Sequence, residues 1–318
     1  GTGLEAAGDV NGDGIPDVVA GAPGSNEVFV YSGRDGKTLL TLKGDSTDGD
    51  LGSSTAGVGD VDGDGRPDIA AGSPSSHKGT GRVYVFAGRD GHRIEALDGE
   101  HEGDGFGAAL GGAGGTFIVG ASGAGGRKAG RIYVYHQRNP TPVFGAEADS
   151  TGAAFGSMFL SVLGDVDGDG VADIYATDFP NQAKGRATGR VYIYSGKTGT
   201  LLKTFTGAAA GGGFGIGAAR AGDLDGDGKA DLVVGSWQYG GAAWSGGRIE
   251  VLSSRDGRTL QTITGKVPGE TLGFDAVGVG DIDGDGITDF LVTSAWSMVN
   301  GFRSGRTYIV AGTCKPKR

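Results

Sequence analysis

The stretch DVDGDGRPD, residues 60–68, decides the reading because it does not stand alone. DVNGDGIPD begins at Asp9, DVDGDGVAD at Asp165, DLDGDGKAD at Asp223 and DIDGDGITD at Asp281. Successive copies are 51, 105, 58 and 58 residues apart, and 105 is twice a period of about 52. A sixth, altered copy is therefore expected near residue 112. The segment FGAALGGAGGTFIVGAS, from Phe106, has the flanking residues and lacks the acidic loop. Gly52 to Gly72 spans 20 residues, whereas the matching Gly107 to Gly120 spans 13, so most of a loop is missing. Self-similarity at a fixed period marks a repeat architecture. The chain is six copies of one unit, approximately 1–50, 51–105, 106–154, 155–213, 214–271 and 272–318.

Each copy carries the same succession of signals. A dipeptide such as Phe106-Gly107, Phe155-Gly156 or Phe214-Gly215 (Leu51-Gly52 and Leu272-Gly273 in two copies) opens a strand of small residues. The acidic loop follows, then a second strand, as in DVVAGAP (17–23) or DLVVGSW (231–237). After a variable loop comes a third strand with alternating apolar residues: GRVYVFAG from Gly81, GRIYVYHQ from Gly130, GRVYIYSG from Gly189. Asp-Gly pairs at Asp35, Asp90 and Asp256 then signal a tight hairpin into a fourth strand, such as LLTLKG (39–44). No segment sustains a 3.6-residue period, so helix should be nearly absent. An all-β chain of four antiparallel strands per unit, repeated in this way, is expected to be a single β-propeller domain over 1–318.

Composition narrows the function classes. Glycine makes up 69 of 318 residues without a Gly-X-Y period, so the chain is not collagen-like. No apolar run approaches the roughly 20 residues of a membrane helix. A net charge of −10 argues against nucleic acid as a partner. The single cysteine, Cys314, excludes an internal disulfide. The opening residues GTGLEAAGDV do not read as a secretory leader.

The Phe-Gly dipeptide, the DxDxDGxxD loop and the triplets Gly21-Ala22-Pro23, Gly72-Ser73-Pro74 and Gly120-Ala121-Ser122 resemble FG-GAP repeats. The resemblance runs over essentially the whole chain and implies the β-propeller of integrin α-subunits and many secreted bacterial proteins. That family usually has seven blades, whereas six copies are counted here. Gly1 aligns with the glycine of the Phe-Gly dipeptide, and the last copy ends after GRTYIVAG (305–312). A six-bladed ring with an incomplete blade and a seven-bladed ring with further flanking sequence both remain open.

The acidic loops carry the chemistry. Carboxylates at loop positions one, three, five and nine can converge on one hard cation, with the carbonyl of position seven as a further ligand. In the second copy these are Asp60, Asp62, Asp64, the carbonyl of Arg66, and Asp68. Gly63 and Gly65 let the backbone turn sharply enough to wrap an ion. The set recurs as Asp165, Asp167, Asp169, Val171 and Asp173, and again as Asp223, Asp225, Asp227, Lys229 and Asp231. The last copy offers Asp281, Asp283, Asp285, Ile287 and Asp289. The first copy offers Asp9, Asn11, Asp13, Ile15 and Asp17, one charge fewer, and is expected to be the weakest site. Oxygen-only ligands select calcium over zinc or copper, which gives about five Ca²⁺ sites and none in the third copy. An EF-hand requires a glutamate at position twelve, but Ala20, Ala71, Ala176, Val234 and Val292 stand there. The alternative is a polar turn without an ion. Nineteen of the 38 acidic residues lie in these loops, and five Ca²⁺ ions would bring the net charge of −10 to zero. Such loops fill in extracellular calcium and empty at cytosolic levels, so a secreted or cell-surface protein is expected.

The resemblance puts the metal loops on one face and partner recognition on the other, among the loops between strands two and three and between strands four and one. Those loops vary most, and in copies five and six they hold Trp237, Tyr239, Trp244, Trp296, Met298 and Phe302. Flat aromatics at a surface suit a sugar face or a protein partner; packing on one another is the alternative. Asp45, Asp48 and Asp50, and then Glu100, His101, Glu102 and Asp104, form two acidic clusters whose simplest reading is a solvated face. Arg82, Arg131, Arg190, Arg248 and Arg306 begin the third strand in five copies and are expected to support the fold. His77, His92, His101 and His136 occupy unrelated places in the unit, and no nucleophile arrangement is visible. The expectation is a non-enzymatic binding or adhesion module for an extracellular protein or glycan. A glycan-specific lectin is the first alternative. A polysaccharide lyase, in which the resemblance would make His101 or Tyr239 the base, is the second.

Overall fold

In the computed structural model, residues 4–46 and 49–313 are described, and they form six antiparallel sheets. Five sheets have four strands in sequence order, and the sixth has three among the described residues: Leu272–Gly280, Asp289–Ser294 and Arg306–Val310. The second sheet shows the pattern, with strands Ser54–Gly59, Asp68–Ser73, Arg82–Phe86 and Arg93–Asp98. Its acidic loop joins strands one and two, and a hairpin joins strands three and four. The third sheet replaces the acidic loop by a two-glycine turn, Gly114-Gly115, between Phe106–Ala113 and Thr116–Ala121. Helix is confined to single turns at Pro23–Ser25 and Ser76–Gly79, and no helix among the described residues is long and apolar enough to cross a membrane.

The chain divides into two compact units. One comprises 1–149 and 154–162; the other comprises 150–153 and 163–318. In the first unit the cores lie between consecutive sheets. Val19, Val28 and Val30 meet Ile69, Tyr84 and Phe86 of the next sheet, whose opposite face supplies Ala70, Val83 and Val85 to pack with Phe117, Val119 and Tyr133. This explains why strand Asp68–Ser73 is buried along its whole length, whereas in Thr38–Lys43, a fourth strand, Leu42 alone is buried. The second unit repeats the arrangement between its fifth and sixth sheets, where Val233, Ile249 and Val251 pack with Ala276, Phe290 and Val292.

The two glycine signatures meet each other. A Cβ built on Gly72, of the Gly-Ser-Pro triplet, would lie 2.2 Å from the carbonyl oxygen of Gly107, the dipeptide glycine of the next copy. The same approach joins Gly21 to Gly52 and Gly120 to Gly156 in the first unit, and Gly235 to Gly273 in the second. Backbones this close leave no room for a side chain, so the repeat's glycines record contact between consecutive sheets. In the fourth sheet Thr177 takes the triplet's place and lies at an ordinary 3.6 Å from where a Cβ on Gly215 would stand.

The arginines that open third strands act within the fold. Arg82 forms a two-pronged pair with Asp98 at 2.6 and 2.9 Å, reaches Asp45 at 3.1 Å and lies over the ring of Tyr84. Arg131 covers Tyr133 and pairs with Glu100, and Arg306 covers Tyr308 and pairs with Glu270. The acidic clusters are thereby engaged. Asp45 also receives Arg93, Asp50 caps Ser73 and Ser75, Glu102 pairs with Lys78, and Asp104 accepts the amide of His101. They are paired, yet Glu100, His101 and Glu102 are exposed, so this second cluster is a solvated face as its sequence suggests; Asp48 lies outside the described residues, as do Gly1 and Cys314.

Candidate metal loops and an aromatic cleft

The loop 60–68 is wound around its first aspartate. Asp60 Oδ1 accepts the amides of Gly63 and Asp64 at 2.7 and 3.1 Å, and Oδ2 accepts that of Gly65 at 2.9 Å. Asp62 Oδ1 accepts the Asp64 amide, and Asp64 Oδ1 the Arg66 amide. Loops 9–17, 165–173, 223–231 and 281–289 repeat these bonds, for example Gly14 to Asp9, Gly170 to Asp165, Gly228 to Asp223 and Gly286 to Asp281. The amide donors hold Asp60 and Asp165 below the usual carboxylate range. Lone pairs not facing the amides remain for a cation.

Carboxylate oxygens of Asp60, Asp62 and Asp68 lie within 4.8 Å of one another, as do those of Asp165, Asp167 and Asp173, and of Asp223, Asp225 and Asp231. In the sixth copy the grouped residues are Asp281, Asp283 and Asp285. Positions one, three and nine thus come together in three loops, and positions one, three and five in another. Asp9, Asp13 and Asp17 of the first loop, where Asn11 intervenes, are not drawn into such a group.

Position nine has a second task that its spacing did not reveal. Asp68 is buried, and its Oδ2 accepts the Val61 amide at 2.8 Å while Oδ1 accepts the Gly88 amide at 3.0 Å. Asp17, Asp173, Asp231 and Asp289 bridge in the same way to Gly33, Gly196, Ser254 and Gly312. This residue ties the acidic loop to the turn after strand three. Burial pushes the carboxyls of Asp68 and Asp173 up, and that of Asp231 up to about 6, with Asp225 and Asp227 adding repulsion. The donors of Asp289 outweigh its burial and hold it down.

The donor set fits a hard divalent cation. All candidate side-chain ligands are oxygens, they converge, and Asp227 Oδ2 is buried without a hydrogen-bond partner. A cation there would satisfy that atom and offset the repulsion that raises Asp231.

On each sheet the loop between strands two and three lies at the end away from the turn between strands one and two, which is the acidic loop in all but the third sheet. In the second unit, Trp244, Trp296, Met298, Phe302 and Arg303 line a cleft of about 330 Å³ together with Gln238 and Thr271. Trp244 and Phe302 are 76% and 83% exposed, too open for packing residues. Arg303 lies over both Trp296 and Phe302, 5.4 and 5.3 Å from the ring centres. Trp237 stands beside the cleft, edge-on to Trp296 at 4.6 Å and to Phe274 at 5.6 Å. Tyr239 is covered by Arg248. Phe274, Gln238 and Arg303 escaped the sequence reading because they have no counterpart in the other copies.

The histidines meet single partners at separate places. His92 Nδ1 is 2.7 Å from Asp90, His136 is 2.8 Å from the Thr116 hydroxyl, and His77 and His101 face Asp98 and Asp104 at 3.8 and 3.4 Å.

Family models agree with this repeat. The FG-GAP repeat matches residues 4–38, 51–86 and 274–310, and the FG-GAP-like repeat matches 165–234, more than half of the chain together. The chain belongs to the FG-GAP repeat family. Relatives of its FG-GAP repeats include integrin alpha pat-2 of Caenorhabditis briggsae, 31% identical over 53% of this chain and 17% of the relative. Integrin alpha-7 of Homo sapiens is 39% identical over 26% of this chain and 8% of the relative, and integrin alpha-4 of Xenopus laevis 35% identical over 26% and 9%. The chain therefore spans less than a fifth of the length of these relatives.

Proposed function

We propose that the six sheets are the blades of one calcium-stabilised β-propeller domain over 1–318, working outside the cell as a binding or adhesion module for a protein or glycan partner. The observation that carries the calcium reading is the recurrent acidic loop, with its converging oxygens and a buried oxygen of Asp227 that has no hydrogen-bond donor and only Arg255 at 4.0 Å. Five loops are assigned as sites, with the first the weakest. A site with a dissociation constant of about 10⁻⁴ M gains roughly 1.4 kcal/mol of stability from millimolar calcium, and almost nothing at cytosolic levels. That contrast, together with membership beside integrin alpha chains, supports an extracellular setting.

Partner recognition is assigned to the cleft around Trp244, Trp296 and Phe302, with Trp237 and Tyr239 shaping its rim. A glycan ligand is the second reading, favoured by the open ring faces of Trp244 and Phe302, which match the apolar face of a sugar. The test is a glycan array and a panel of extracellular matrix proteins, each probed in millimolar Ca²⁺ and in EDTA while folding is followed by circular dichroism. Calcium-dependent binding that is lost in Trp244→Ala supports the assignment. A folded, calcium-loaded protein that binds neither class argues for a purely structural domain.

A further inference from the structure

A basic side chain reaches the metal loop from the turn after strand three, always from the third residue beyond the strand. Arg34 Nε contacts Asp13 Oδ2 at 2.9 Å while Nη2 donates to the Asp13 carbonyl at 2.7 Å. Arg89 repeats both contacts with Asp64, each at 2.8 Å. Lys197 donates to the Asp169 carbonyl at 3.1 Å, and the Asp169 carboxylate takes the Ser195 hydroxyl at 3.3 Å. Arg255 lies 4.0 Å from Asp227 Oδ2, and its neighbour Arg258 contacts Asp225 at 2.8 Å. The target is position five in four loops, in the fifth copy joined by position three.

The sixth copy provides an internal comparison. Thr313 stands at the basic residue's place, its amide donating to Gln261. There Asp285 at position five joins Asp281 and Asp283 in the converging group, whereas Asp64, Asp169 and Asp227 do not join theirs. The third copy has Arg138 at the matching repeat position, the second residue beyond strand Arg131–His136, but no acidic loop to receive it. In copies two, four and five, where the basic group meets the acidic loop, position five stands outside the converging group; in the sixth, where it is missing, position five stands within it.

We propose that Arg34, Arg89, Lys197 and Arg255 are built-in counter-ions that hold the position-five carboxylate or carbonyl in the metal-free loop and set its calcium affinity below that of the sixth loop. This inference rests on the calcium reading. The physical ground is direct. A guanidinium on a ligand's oxygen must yield that oxygen to a bound divalent cation, or stay and repel it at close range. Loops one, two, four and five are thereby tuned to fill only at high calcium, after loop six.

The test is calcium titration of the full chain by calorimetry. The variant carries Arg34→Gln, Arg89→Gln, Lys197→Gln and Arg255→Gln. A control of equal net charge carries Lys43→Gln, Lys78→Gln, Arg127→Gln and Lys128→Gln, remote from the loops. The expected result is that the weaker class of sites tightens by roughly threefold to tenfold in the first variant and not in the control. Thr313→Arg should weaken the tightest site by a similar factor. Circular dichroism confirms folding, and the calcium-induced rise in Tm should widen in the first variant alone. Equal changes in test and control, no change, or weaker binding in the test variant would each overturn the proposal. A wild-type protein that binds no calcium overturns the underlying reading as well, which separates the two failures.

Discussion

The amide of Gly88 donates to the carboxylate of Asp68, 20 residues earlier in the chain, at 3.0 Å. The other oxygen of Asp68 takes the amide of Val61 at 2.8 Å, so one buried side chain closes the acidic loop and pins it to the turn after strand three. The position-nine aspartate is therefore part of the fold with no metal present. Asp68→Ala strands two backbone donors and should cost about 3 kcal/mol even in EDTA, because hydrogen bonds to a charged acceptor contribute roughly 1.5–3 kcal/mol each. Asp62→Ala should leave the metal-free stability within about 0.5 kcal/mol of wild type, since it removes a repelling charge from an exposed loop. It should instead reduce the increment that calcium adds. Urea unfolding with and without calcium separates the two, and equal losses in EDTA would show that position nine is only a ligand.

Calcium should reverse the pH dependence of stability. The Asp231 carboxyl is raised from its ordinary 3.8 to about 6, and burial raises Asp68 and Asp173 as well. In the metal-free protein the folded state then holds more protons than the unfolded state across that window, so stability falls as pH rises from about 4 to about 6. Bound calcium requires the ionised carboxylates, so in its presence stability rises over the same window. Groups held low, such as Asp60 and Asp165, act below pH about 4 and leave this window clear. Chemical denaturation of decalcified and calcium-saturated protein across the window should give slopes of opposite sign. Burial also raises Asp275 and Glu250, outside the loops, which lowers the slope in both forms. An identical slope with and without calcium would therefore mean that the loops are not metal sites.

The glycine contact between copies is open to a sharper test. A Cβ at Gly72 would stand 2.2 Å from the Gly107 carbonyl, a distance that only backbone movement can relieve. Gly72→Ala should cost roughly 3 kcal/mol or more, at the severe end of single substitutions. Gly24→Ala, where nothing lies within 4 Å, should be nearly neutral. Thermal melts of the pair measure the difference.

Much of this was legible from spacing. The five acidic loops, the hairpin glycines after Asp35, Asp90 and Asp256, and the altered third copy all follow from local chemistry repeated at a fixed interval, and each appears in the strand order. The structural use of Arg82 and Arg131 also followed from their recurrence. What stayed hidden was contact across the unit. Asp68 looks like any loop carboxylate until the Gly88 amide is beside it, and Arg89 looks like a turn residue until it meets Asp64. The offset of the basic residue from strand three was a visible signal, but it has meaning only once strands one to three are folded together. The cleft was partly legible as a concentration of tryptophans, whereas the roles of Trp237 and Trp244 depend on exposure.

Those two tryptophans should behave in opposite ways. Trp237 meets Trp296 and Phe274 edge-on, at 4.6 and 5.6 Å, a packing that holds the loops of the fifth and sixth sheets together. Truncating it removes both ring contacts and should cost about 2–3 kcal/mol, less than for a fully enclosed tryptophan because one side is open. Trp244 is 76% exposed and lines the open cleft, so Trp244→Ala should change stability by less than about 0.5 kcal/mol. If the cleft takes a partner, the Trp244 variant loses binding at full stability, and Trp237→Phe, which keeps a ring in place, retains most of both. Urea unfolding beside a binding assay reads the two effects separately. A Trp244→Ala protein that is destabilised as much as Trp237→Ala would mean that the aromatic cluster serves packing, and the cleft would lose its claim as a recognition surface.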